Sequence, residues 1–386
     1  MSAAGTFEVA VIGAGLVGAA VAFGLRSLGS KLVLLDEGDV AHRAARANFG
    51  LIWVQGKGAG LPQYAEWTQR SAGEWPRLAN ELLRETGIDV ALAQPGGVHV
   101  CLSAAELERR VAMLDALQTQ PGFPRHSVDV LDRAQLALRL PGVGPEVAGG
   151  TYCPLDGHCN PLKLLCALHA ATIRAGAHYR ADHPVARIAP RSVGFVLDTP
   201  RGSISADNVV LAAGLGNAAL APMVGLGAPV GPNQGQIIVL ERVPRFLELP
   251  IATIRQTDEG TVLIGDSRQE RGFDDSCATD VVAAMAARAL RVFPSLGGAR
   301  VVRAWAGLRV MTPDGFPVYE QSAIHPGAFV ATCHSGVTLA AAHAYAFAPA
   351  VAAGASPELF RPFAAARFDA AANGSPRLAN GEEPRR

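Results

Sequence analysis

Gly13, Gly15 and Gly18, with Asp36 standing 18 positions beyond the last of them, are the residues whose spacing most directly implies chemistry. They sit in V-A-V-I-G-A-G-L-V-G at 9–18. Val9–Ile12 is a short apolar run, as a strand buried on both faces requires. Gly13 permits a tight turn, Gly15 lets the backbone approach a pyrophosphate, and Gly18 lets the next helix lie against the strand. The N-terminus of that helix presents unpaired N–H groups and a dipole suited to phosphate. A second apolar strand, Leu32–Leu35, delivers Asp36, whose carboxylate can accept from a ribose diol. The reading is a site for an ADP-containing dinucleotide, and the motif alone leaves flavin and nicotinamide forms open.

Other elements must complete the sheet that carries this turn. Asp207–Gly214 (D-N-V-V-L-A-A-G) reads as a buried strand ending in small residues, preceded by alternating segments at Val185–Ile188, Val193–Thr199 and Gly202–Ala206. A helix is expected over Tyr64–Thr86, with Trp67, Trp75, Leu78, Leu82 and Leu83 apolar. Ser103, with Glu106 three places on, opens another. Asn160-Pro161 starts a third, which stops at Gly176. Gln234–Leu240, Ile251–Arg255 and Thr261–Gly265 read as antiparallel strands of a different sheet, followed by a helix at Ala278–Val292 and a last one from about Val337. The fold class expected is α/β: a discontinuous Rossmann-like domain (6–90, 151–222 and 301–369) with an interleaved antiparallel α+β domain (91–150 and 223–300). The tail, 370–386, is expected to be disordered.

Lysine plus arginine and aspartate plus glutamate number 34 each, so no net field favours nucleic acid or an anionic membrane. Partners should be small molecules or protein surfaces. The opening residues have no basic run, and the Ala-rich stretch Val337–Gly354 is broken by His343, Tyr345 and Pro349, so neither a signal peptide nor an integral membrane segment is expected. Cysteines 153, 159 and 166 are separated by five and six residues, wider than zinc or cluster ligands. No metal site is expected, and buried thiols in a reducing cytoplasm are. Lysine is confined to Lys31, Lys57 and Lys163. That bias, with high Ala, Gly and Pro, suggests a GC-rich bacterial genome.

Arg303-Ala-Trp-Ala-Gly-Leu-Arg-Val-Met-Thr-Pro-Asp-Gly-Phe-Pro, taken with the opening motif and the strand ending at Gly214, resembles the FAD-dependent D-amino-acid oxidase superfamily. Arg46-Ala-Asn-Phe-Gly, G-D-S-R-Q-E-R-G-F at 265–273 and Ala331-Thr-Cys-His-Ser-Gly extend the resemblance from about Phe7 to Asp369. F-G-L-I-W-V-Q-G-K-G at 49–58 and T-C-H-S-G-V-T-L at 332–339 are similar to the beta subunits of opine oxidases and D-hydroxyproline dehydrogenases.

The resemblance implies oxidation of a small amino acid or secondary amine by hydride transfer to FAD. Electrons then pass to oxygen, a quinone or a partner subunit holding flavin or an iron–sulfur centre. It places Arg309 on the substrate carboxylate, where a planar guanidinium can make two parallel charge-assisted bonds. His334 stands either as a base or as a structural histidine. Gly336 and Thr338 are expected at the flavin pyrimidine, Arg46, Asn48 and Gly50 along the flavin and pyrophosphate, and Val185 at adenine. Arg303 is expected to tie loops, Arg255 to be solvated, with a substrate-side role as its weaker alternative, and Lys57 to lie at the surface; the alternative for Lys57 is a charge that promotes reaction with oxygen. With no Cys or His in 303–315, FAD should be held non-covalently. The rival readings are an NAD-linked dehydrogenase and a non-catalytic flavoprotein subunit.

Overall fold

The computed structural model describes residues 5–38, 44–355 and 358–371. The chain opens with β1 (Thr6–Ile12), α1 (Leu16–Gly24) and β2 (Leu32–Leu35), then β3 (Leu51–Ile52) and the long α2 (Pro62–Thr86). There follow β4 (Gly97–Cys101), α3 (Ala104–Thr119), β5 (Asp129–Asp132), α4 (Arg133–Arg139), β6 (Gly149–Cys153) and β7 (Gly157–His158). The chain then returns through α5 (Pro161–Arg174), β8 (His178–Arg180), β9 (Arg187–Pro190), β10 (Phe195–Thr199), β11 (Gly202–Leu211) and α6 (Asn217–Leu220). It leaves again as β12 (Gly231–Arg242), β13 (Ile254–Gln256), β14 (Thr261–Ile264), α7 (Thr279–Val292) and β15 (Val301–Met311). It closes with β16 (Val318–Gln321), β17 (Ala328–Thr332) and a helical run from Ala340 to Ala352 that contains a π turn at His343–Phe347.

The main sheet has the order β16-β17-β11-β1-β2-β8, with β10 on β11 and β9 on β10. Its central strands β17, β11, β1, β2 and β8 pair in parallel, so their apolar residues are covered on both faces. The two segments expected separately at Gly202–Ala206 and Asp207–Gly214 form one strand that ends at Leu211, whose first half pairs with β10 and whose residues from Ser205 to Leu211 pair with β1. α2 buries Tyr64, Trp67, Trp75, Leu78 and Leu82, each apolar side chain contributing about 1.5–3 kcal/mol. Leu83, expected in that stripe, is exposed. Pro76 lies inside α2 and has no N–H for the Ala72 carbonyl, and Gln94 Nε2 donates to that carbonyl at 3.1 Å instead.

A four-stranded antiparallel sheet, β13-β14-β12-β15, and a three-stranded one, β4-β6-β5, share a second core built on Val98, Ile238, Ile254, Ile264 and Phe293. Two segments change sides relative to the sequence reading. Residues 301–311, grouped with the dinucleotide unit, pair with β12 from Gly231↔Met311 to Leu240↔Val301, and β6 pairs with β4 and β5. The cause is strand pairing: a run's own composition does not say which edge it joins. Of the expected tail, residues 372–386 lie outside the described residues, whereas a short helix, Arg367–Ala371, occupies its start. Among the described residues no helix is long and apolar enough to cross a membrane.

Candidate functional site

A continuous cavity of about 520 Å³ begins at the carboxyl ends of β1 and β2 and reaches the β12–β15 sheet. That is where open parallel sheets bind ligands. Gly13 adopts φ +99°, which a side chain would strain, and donates its N–H to the Leu35 carbonyl at 2.8 Å. Asp36 accepts from Ala14 N at 2.7 Å and from Gly38 N at 3.0 Å, so the acid that faces the cavity also pins the glycine turn. Gly15 caps α1 without any side-chain acceptor, leaving first-turn N–H groups uncapped by a side chain. Gly18 lies behind the wall; a Cβ there would sit 1.8 Å from the Gly13 carbonyl oxygen.

Val185, Gly214, Asn48, Gly336 and Thr338 all line the cavity. Asn48 accepts the Gly50 N–H at 2.7 Å. Arg46 is exposed, and neither it nor Gly50 forms part of the wall. The Thr338 hydroxyl accepts from Trp53 N at 3.1 Å and lies 3.3 Å from the Leu51 carbonyl, so its visible task is to hold β3 against the last helix.

At the far end Arg309 enters from β15. Its Nη1 donates to the Ser267 carbonyl at 2.9 Å, to Asn233 Oδ1 at 3.2 Å and to the Gln234 carbonyl at 3.3 Å, and its Nη2 pairs with Asp266. The guanidinium lies against Gly235, where a Cβ would come within 2.3 Å of it. Arg268 lines the same wall and lies 3.9 Å from Asp266. His334 is half-buried, and its Nε2 lies 3.1 Å from Ser335 Oγ, which accepts the Tyr64 hydroxyl at 2.9 Å. Burial, then the charges of Lys57, Arg268 and Arg309, hold its pKa well below 6.5, although a bond to the Gly315 backbone opposes them. The ring is therefore neutral near pH 7 and a weak proton acceptor.

Three expectations are overturned. Lys57, expected at the surface, is 5% exposed, lines the cavity and stands 6.0 Å from the Tyr64 ring centroid. Arg255, expected to be solvated, is 3% exposed and donates to the Phe49 carbonyl, with His158 Nδ1 at 3.4 Å; burial lowers its pKa to about 10. It holds the segment beneath the cavity and does not line it. Arg303, expected to tie loops, is exposed on β15 and stacks over Trp305. Each error has one source: sequence gives a residue's chemistry but not the depth at which its strand packs. Cys166 and Cys277 are likewise exposed, whereas Cys101, Cys153, Cys159 and Cys333 are buried thiols.

A buried network behind Lys57 has no counterpart in the sequence reading. Asp156 accepts from Val54 N at 2.5 Å, Gln55 N at 3.2 Å and Gln55 Nε2 at 2.7 Å. Gln55 Oε1 accepts from Arg110 at 2.9 Å and from Thr151 at 2.8 Å. Its members come from separate stretches of the chain, so no local spacing could announce it.

The chain matches the family model described as FAD dependent oxidoreductase (DAO) over residues 8–349. It is 47% identical to a subunit of opine oxidase from Agrobacterium tumefaciens, over 94% of this chain and 98% of that one. To the corresponding opine oxidase subunit from Rhizobium meliloti it is 45% identical, with the same coverage. The crystal structure of glycine oxidase from Geobacillus kaustophilus superposes with a TM-score of 0.83 at 27% identity, covering 93% of this chain and 98% of that one. The dinucleotide turn, the parallel sheet that presents it and the antiparallel sheet across the cavity thus have one explanation: the chain belongs to the DAO family of FAD-dependent oxidoreductases.

Proposed function

We propose that this chain oxidises a small amino acid or secondary amine, of the D-amino acid, D-hydroxyproline or opine-like class, to an imine that water hydrolyses. The observation that carries this reading is the cationic wall of Lys57, Arg268 and Arg309 around the neutral His334, at one end of a cavity whose other end is a dinucleotide cleft. Family membership removes the NAD-linked alternative. The residues fit FAD: Asp36 faces a ribose, the uncapped turn at Gly13 and Gly15 a pyrophosphate, Val185 adenine, and Asn48, Gly214, Gly336 and Thr338 the remaining length. When bound, FAD supplies a two-electron acceptor whose N5 takes the α-hydrogen as hydride.

Arg309, with Arg268 beside it, holds the substrate carboxylate and so fixes the α carbon. The same positive wall disfavours an ammonium, so the substrate reacts as a neutral amine whose proton has gone to solvent. His334, already neutral, adds no further repulsion and positions Ser335, which makes a structural role its better assignment. The two opine oxidase relatives are each named as one subunit of an enzyme, which supports a partner subunit for this chain; that the partner takes the electrons, so that the chain acts as a dehydrogenase, is part of the same proposal. Buried cysteines in the thiol form are in keeping with a reducing cytoplasm.

The test is anaerobic bleaching of the purified flavoprotein, alone and with the products of its neighbouring genes, by D-amino acids, hydroxyproline and opines. Bleaching by one class, abolished in Arg309→Ala with FAD retained, is the expected result. No bleaching by any of them sinks the proposal, and unchanged electron transfer in Arg309→Ala points to the scaffold reading. Acid precipitation should release all of the yellow colour, since attachment is non-covalent.

A further inference from the structure

α5 differs from the neighbouring surface helices in the face it turns outward. Its inner side buries Leu164, Leu165, Ala167, Leu168 and Ala171. Its outer side shows Leu162 at 52% exposure, Cys166 exposed, Ala170 half-buried and Ile173 at 47%. At about 100° per residue these four fall within an arc of about 80°, so they form one stripe along the helix. A surface helix ordinarily carries its charged residues there. The exposed positions of α2 include Glu66, Arg70 and Arg77, and those of α3 include Glu108, Arg109 and Asp115. A single exposed leucine needs no explanation, but an apolar stripe running the length of a helix marks a contact surface.

The order of side chains in the stripe points to its occupant. Leu162 and Ile173, at its ends, are large, whereas Cys166 and Ala170, between them, are small. The pattern is close to symmetric about residue 168. A second α5 laid antiparallel would meet Leu162 with its own Ile173 and Cys166 with its own Ala170. Small residues at the centre allow the two axes to approach to about 8 Å.

Surface charge obeys the same two-fold. At the N-terminal end of α5, Lys163 lies 2.7 Å from Asp258 and 3.7 Å from Glu259, which Arg242 also meets at 3.1 Å. Asp89 stands beside them, next to the Val90 carbonyl that accepts from Asn160 N. That end therefore holds three acids against two bases. At the C-terminal end Arg174 donates to the Glu85 carbonyl at 2.6 Å, and Arg26 and Arg84 pair with Glu85, Arg26 also with Glu81. Arg77 and Glu74, 3.5 Å apart, cancel one another. This end holds three bases against two acids. Antiparallel packing sets each acidic end on a basic one, and parallel packing would oppose like ends.

We infer that the outward face of α5 is a two-fold contact between two copies of this chain, in which the helices pack antiparallel about residue 168. One helix pair covers less than the roughly 1,200–2,000 Å² of a standard stable interface, so the dimer is a dissociable one, half formed at roughly micromolar concentration. The inference stands apart from the amine-oxidation reading and needs no substrate to test.

The experiment is sedimentation equilibrium of the full-length flavoprotein over a concentration series. A reversible monomer–dimer equilibrium is expected. Ile173→Asp should weaken it by at least about tenfold, whereas Leu138→Asp, at a more exposed leucine on α4, should leave it unchanged. Flavin content and Tm should be those of the wild type in both. Packing direction is read by oxidation in a Cys277→Ser background, which removes the other exposed thiol. There Ala170→Cys should give a covalent dimer in high yield, and adding Cys166→Ser should abolish it. A chain that stays monomeric at about a hundred times the expected midpoint overturns the inference. So does a dimer that Ile173→Asp leaves intact, or one that persists while Ala170→Cys fails to cross-link. A stripe that binds only a different subunit overturns the assignment to a second copy.

Discussion

Arg309 and Asp266 form an ion pair on the wall of the dinucleotide cavity, with the Arg309 guanidinium laid against the bare Cα of Gly235. The pair is a quarter exposed on each side, so its electrostatic worth to stability is small. Its value is geometric. Asn233, Gln234 and Ser267 hold Nη1 while Nη2 pairs with Asp266.

Gly235→Ala tests that seating directly. The added methyl group would approach Nη1 and Nη2 to 2.3 Å, and the cheapest relief is for the guanidinium to move. Since a misplacement of about 1 Å can cost on the order of a hundredfold in rate, kcat/KM should fall between about ten- and a hundredfold. FAD content and Tm should stay near wild type. A variant with unchanged kcat/KM would show that Arg309 need not occupy this place.

Gly18→Ala acts on the cofactor end. The methyl group would lie 1.8 Å from the Gly13 carbonyl oxygen, and that atom is backbone, so α1 must move away from β1. Overpacking of this kind costs about 1–3 kcal/mol or more. The flavin-to-protein absorbance ratio should drop sharply and Tm should fall with it. Full flavin occupancy in this variant would contradict the dinucleotide reading of the turn.

Asp156 predicts a pH effect. Burial raises its pKa from 3.8 to about 7, against the opposing bonds from Val54 and Gln55 and the charge of Arg110. The native state therefore keeps a proton that the unfolded chain has already lost, and between about pH 4 and pH 7 this group's contribution to stability declines as pH rises. Asp156→Asn removes that slope. Its Tm should gain on the wild type as pH is raised across this window and hold a constant offset above it. Parallel Tm profiles would show that Asp156 does not titrate there.

Much of this protein was legible in order along the chain. The glycine turn, its flanking strands, the acid at 36 and the cap at Asn160 are local patterns, in which the residues that make the structure are also neighbours in sequence. Asn160 Oδ1 accepts from Leu162 N and Lys163 N at 3.2 and 3.1 Å, as the Asn-Pro start requires. The long-range pairings were not legible. Nothing about residues 301–311 says that they join β12, and strand pairing is what brings Arg309 to Asp266 and the cavity.

Sequence by itself therefore determined the ligand-binding turn, the α/β class and the chemical types at the site. Only the tertiary structure decided depth and company: that Lys57 and Arg255 are enclosed, that Arg303 is not, and that Gln55, Arg110, Thr151 and Asp156 form one network. The physical reason is that burial and charge balance depend on which segments pack together, and such packing is a property of the whole chain rather than of any window of it.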